Sequence, residues 1–168
     1  VILQMRDYSN LLSKTDKEGV SVVEIDLGTD TPCGKCIGNT IYINNRATTN
    51  EKRCVLAEEL GHYHLTIGNI TDLKNIRNKK QELKARRYSY NLLIEPDDII
   101  HAIKKGCNTR FEIADYLNIS EEFFEELIED YKRQYGLGVF VGNYYLQLEP
   151  TLGLIRDLGG LFKIGRAS

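Results

Sequence analysis

The sequence predicts an α+β fold: a small β-sheet beside a helical domain, then a mainly helical C-terminal part with a terminal β-hairpin. Three observations carry this. Residues 20–27, "VSVVEIDL", alternate and are rich in β-branched side chains, as strands are. Stretches at about 49–65 and 76–94 run long without a proline and read as helices. Gly-Asn pairs at 38–39 and 142–143 each sit between alternating runs, where a tight hairpin turn is expected.

The elements follow in order. Residues 5–16, "MRDYSNLLSKTD", form a short amphipathic helix that Gly19 ends. After the strand at 20–27, "GTDTPCG" is turn chemistry, and "KCIGNTIYINN" at 35–45 is a hairpin around Gly38-Asn39. Thr48 and Glu51 have the spacing of a capping box and start the helix at 49, with Gly61 its first possible breaker. "TIGNITDLKNIRNK" is a polar connection to the helix at 76–94. Pro96 opens a third helix that Gly106 stops. Residues 109–135 read as two helices with a short break, Ser120 capping the second. "VFVGNYYLQL" at 139–148 is the terminal hairpin, and residues 151–168, rich in glycine, have no assignment. The organisation expected is a domain over 5–106, a helical extension and hairpin over 107–150 packed on it, and the tail at 151–168.

Bulk properties narrow the function. The 168 residues are 42% hydrophobic and 27% charged, ordinary for a globular chain with a real core. Net charge is −2 with Lys and Arg spread along the chain, which does not favour nucleic acid as partner. No apolar run approaches the ~20 residues of a membrane span, and no basic-then-apolar leader is visible. Met5 before "RDYSNLL" is expected to be a natural start, leaving residues 1–4 outside it. Four cysteines are too few for a disulfide scaffold at this length, so a cytoplasmic location is expected. Cys33 and Cys36 have C-x-x-C spacing, but no second pair accompanies them, and a plain turn before a strand is the reading.

The chemistry lies in "LAEELGHYHL", residues 56–65. Val55, Glu58, Glu59 and His62 fall on one helical stripe, with Leu56, Leu60 and Tyr63 beside it. Two carboxylates and a histidine therefore sit next to apolar neighbours. A carboxylate there is costly unless it takes a proton or meets a cation, and a divalent ion is an effective one. Glu58 and His62 are one turn apart, so their side chains emerge together as two ligands for one ion. Glu59 is one step round the helix, placed as the base for attacking water. The alternative is a solvated Glu-Glu pair and a packing histidine.

A zinc site needs a third protein ligand. Glu82 heads an inward stripe with Ala85, Ser89, Leu92 and Leu93. Asp72 in the connection and His64 are the other candidates, although His64 faces nearly the opposite side of its helix from His62. Nothing marks His101 as a ligand.

"NEKRCVLAEELGHYHL" followed by "QELKARRYSYNLLIEPDDI" resembles the ImmA/IrrE family of zinc metallopeptidases. That pattern has H-E-L-G-H on one helix, then a helix with Glu, Ala, an aromatic and a small residue, ending near Leu-Leu-x-Pro. Glu82, Ala85, Tyr88, Ser89, Leu92, Leu93 and Pro96 match the later positions, and "TIYINNRATT" resembles the strand before the active-site helix. The likeness spans about residues 20–135 and is nearest the phage- and mobile-element-associated branch, with E-E-L-G-H in this place. It implies a zincin-like metallopeptidase domain with a small sheet beside the active-site helix. It implies Glu59 as general base, His62 as zinc ligand and Glu82 as third ligand. It also implies a protein substrate: a helix-turn-helix repressor encoded by a phage or mobile element.

One departure matters: the family's first histidine is Glu58 here. Glu58, His62 and Glu82 make a harder, more anionic donor set, which admits Mn2+ or another divalent ion beside Zn2+, or leaves the site empty. A non-catalytic module that grips a repressor without cutting it is the competing function. A DNA-binding regulator using residues 109–135 is a third, but its second helix is acidic where base contacts would be made.

Overall fold

The computed structural model describes residues 7–67 and 79–157. The fold starts from α1 (Tyr8–Lys17), whose N-cap Asp7 accepts the Asn10 N–H. A first sheet follows, made of β1 (Ser21–Ile25), β2 (Gly34–Ile37) and β3 (Thr40–Asn44). Its order is β1-β3-β2, with β1 parallel and β2 antiparallel to the central β3. Ile41 and Ile43 of β3 are wholly buried, while β1 is mostly exposed, as an edge strand can be.

Five helices come next: α2 (Thr49–Ile67), α3 (Lys79–Leu93), α4 (Pro96–Lys104), α5 (Arg110–Tyr116) and α6 (Glu121–Tyr135). The capping box at the start of α2 is formed: Thr48 N–H donates to Glu51, and Glu51 N–H donates to the Thr48 hydroxyl. Ser120 caps α6 by accepting the Phe123 N–H. Leu56, Ala57 and Leu60 of α2 share one core with β3, α4 and the apolar face of α6, which contributes Phe124, Leu127 and Ile128. Burial of that face makes α6 a packing element, with its acidic first turn outward.

A second sheet closes the described chain: β4 (Gly138–Val141), β5 (Tyr144–Gln147) and β6 (Gly153–Arg156), antiparallel in that order. The terminal hairpin is therefore three-stranded. Residues 153–156 escaped assignment because four residues beside glycines carry no readable alternation; pairing with β5 makes them a strand. Gly61 lies inside α2, as the helix expected over about 49–65 requires, and α2 runs on to Ile67. One further expectation changes. Cys36 lies within β2 rather than in a turn, and only Cys33 precedes the strand. Residues 5–6, the connection at 68–75 with Asp72, the first residues expected of α3 (76–78) and residues 158–168 lie outside the described residues. No helix among the described residues is long and apolar enough to cross a membrane.

Candidate metal centre

Close backbone approach builds the site. A Cβ added at Gly61 would lie 2.5 Å from the Ala85 carbonyl oxygen, so α2 and α3 meet there on bare backbone. Glu58 and His62 flank this crossing on α2, and Glu82 lies one turn before Ala85 on α3. Each of the three offers a ligand atom, and these atoms all lie within 4.8 Å of one another. His62 Nε2 stands 3.7 Å from Glu82 Oε1. All three side chains are half-buried.

The sheet closes in from the other flank. A Cβ on Gly34 would fall 2.7 Å from Val55 Cγ1 and 3.1 Å from Glu59 Cγ, so β2 lies tightly on α2. The Cys36 backbone N–H of β2 faces the Glu59 carboxylate and favours its charged form. Burial raises the Glu59 pKa above the usual carboxylate range, with His62 opposing. Burial likewise raises Glu58, opposed by Arg86 and His62. The donor set of two carboxylates and one imidazole fits a hard or borderline divalent cation.

Reading the sequence singled out Glu58, Glu59, His62 and Glu82, and the fold brings them together. His64 stays apart: its Nε2 is 3.0 Å from Glu18, and its ring leans on Tyr88 at 5.2 Å. His101 lies on α4, 3.6 Å from Asp97.

Arg86 was not anticipated. Its Nε stands 3.8 Å from Oε1 of both Glu58 and Glu82, and its Nη1 3.5 Å from each Glu126 oxygen. Tyr90 donates its hydroxyl to Glu126 at 3.1 Å. Burial opposes the Arg86 charge, but Glu126 and Glu58 outweigh it and hold the guanidinium protonated. A signal was present: Arg86 follows Glu82 by four residues, the spacing of a helical ion pair. Glu126 carried no such signal, since its partner is 40 residues away.

A groove of about 550 Å³ opens beside these residues. Glu58, Glu59 and Arg86 line one part, and Ser120, Phe123 and Glu126 of α6 another. Cys54 also lines it, its thiol pushed up by burial to about 11, which keeps it protonated and poorly nucleophilic.

The family model described as Peptidase_M78, the IrrE N-terminal-like domain, matches residues 15–129. The chain belongs to this family. Comparison with curated proteins and with solved structures gives no match. Within this IrrE-like domain the matched span runs from α1 into α6, so it includes α2, α3 and every residue of the candidate centre. The described residues that line the groove fall within this peptidase-family span as well.

Proposed function

We propose that the protein is a metal-dependent endopeptidase whose ion, zinc or in its place manganese, is held by Glu58, His62 and Glu82. The observation that carries this is the convergence of those three side chains across the Gly61–Ala85 crossing. A divalent cation bound there supplies Lewis-acid activation of water and polarisation of a peptide carbonyl. Glu59, one residue along α2 from Glu58 and facing the Cys36 N–H, accepts the proton of the attacking water and returns it to the leaving amine. The groove between α2, β2 and α6 receives the polypeptide.

The substrate we infer is a helix-turn-helix repressor encoded by a phage or mobile element, met in the cytoplasm. Its support is the resemblance of "NEKRCVLAEELGHYHL" and "QELKARRYSYNLLIEP" to the ImmA/IrrE pattern. Purified protein incubated with a helix-turn-helix repressor of the same phage or mobile element and zinc should yield discrete fragments. Glu59→Gln should reduce the rate at least about 100-fold while zinc still binds; undiminished cleavage removes Glu59 from the mechanism. A second reading, a repressor-binding module without catalysis, is favoured by the Arg86 guanidinium beside two of the three ligands. Repressor capture without cleavage by the zinc-loaded protein would establish it.

A further inference from the structure

We propose that Arg86 is an internal counter-cation that shares Glu58 and Glu82 with the metal ion and passes onto Glu126 when the ion enters. This rests on the metal-centre reading above and concerns how that centre is regulated. Two carboxylates facing one another need positive charge between or beside them. Arg86 supplies it, with its Nε 3.8 Å from one oxygen of each. At that distance neither contact is a hydrogen bond; the hydrogen bonds of the guanidinium run from Nη1 to Glu126. Its Nε is buried with no hydrogen-bond partner. An Arg guanidinium keeps its charge, so Arg86 cannot adapt to an incoming dication by losing a proton. It must yield ground or weaken the ion's hold.

The structure offers it somewhere to go. Glu126 on α6 already faces Arg86 Nη1, at 3.5 Å from both carboxylate oxygens, and has room to close to a paired fork. Tyr90 fixes Glu126 by donating to it at 3.1 Å. One residue along, Arg87 pairs with the fully buried Asp130, with Nη2 to Oδ1 at 2.7 Å. That pair ties α3 to α6, so only the Arg86 side chain has to move. Among the described residues that line the groove, Arg86 is the sole basic one, and no other cation there can take its place. Metal affinity is then set by the competition between Glu126 and the ligand carboxylates for one guanidinium.

The test is zinc and manganese affinity of the full chain, measured by competition with a chromophoric chelator. Arg86→Gln should bind zinc about tenfold more tightly, because the competing cation is gone. Glu126→Gln should bind severalfold more weakly, since the guanidinium loses its second station. The double variant should match Arg86→Gln alone. With EDTA present, Arg86→Gln should melt earlier than wild type, and zinc should close that gap. If Arg86→Gln fails to fold, the loss of affinity in Glu126→Gln carries the test. Zinc bound only by Arg86→Gln, and not by wild type, supports the counter-cation while removing the peptidase reading of the natural chain. Equal affinity in wild type and Arg86→Gln, with His62→Ala still abolishing binding, overturns the counter-cation and leaves the metal centre standing. Unchanged or tighter binding by Glu126→Gln also overturns it.

Discussion

Gly61 of α2 meets Ala85 of α3 with no room for a side chain: a Cβ there would sit 2.5 Å from the Ala85 carbonyl oxygen and 3.1 Å from its Cα. The contact sets the distance between the two helices that carry the candidate ligands. Gly61→Ala gains helix propensity of roughly 1 kcal/mol, yet it must push α3 away. Overpacking of this kind costs about 1–3 kcal/mol. The expected outcome is a lower melting temperature and weaker zinc binding, read by calorimetry and chelator competition. A variant more stable than wild type would show that the helices are not in backbone contact.

Ligand assignment separates two residues that sequence alone leaves as rivals. Glu82→Ala should weaken zinc binding at least about 100-fold, since three protein ligands are needed and two remain. His64→Ala should leave zinc affinity unchanged, because His64 is engaged with Glu18 at 3.0 Å, away from the centre. Loss of that half-exposed contact should cost under about 1 kcal/mol of stability. Loss of zinc from His64→Ala, with Glu82→Ala unaffected, reverses the assignment.

Arg53 links α2 to the C-terminal helices. It is 1% exposed, and its Nη1 donates to the Leu117 and Asn118 carbonyls at 2.7 and 2.9 Å, just past α5. Arg53→Met keeps the bulk but orphans both carbonyls, at about 2–4 kcal/mol in all. Chemical denaturation should show that loss, and hydrogen exchange should show α5 and the start of α6 less protected. A loss below about 0.5 kcal/mol would mean that water takes over both acceptors.

Acid should weaken the tie between β1 and α2. Lys52 first, and the Tyr8 hydroxyl after it, hold Glu24 below the usual carboxylate range, with partial burial opposing them. A carboxylate depressed in the folded state stabilises the fold above its unfolded pKa, and that contribution fades as pH falls through the folded value. Glu24→Gln should therefore be less stable than wild type at pH 7 by under about 1 kcal/mol, given the exposure of the pair. The gap should close as pH falls below about 4. A gap that widens in acid would reverse the sign and contradict the pairing.

Much of this was legible in the sequence because the signals are local. The Thr48–Glu51 box, the Gly-Asn turns and the stripe of Glu58, Glu59 and His62 each span a few residues, and each is found where it was read. What stayed hidden depends on partners far along the chain. Glu126 reaches the site only because α6 packs beside α3, and its acidic neighbourhood had served solely to argue against DNA. Residues 153–156 become a strand through β5, not through their own pattern. Gly61 falls inside the helix expected from the sequence, but nothing local says that a helical glycine is there to admit another backbone.

The central claim is that Glu58, His62 and Glu82 hold one divalent ion. Elemental analysis of the purified chain, joined to anomalous scattering from its crystals, tests it most directly. Close to one ion per chain is expected, with the anomalous peak among those three side chains and none in His62→Ala. An ion bound elsewhere, or zinc-saturated crystals with no peak between Glu58, His62 and Glu82, would contradict it.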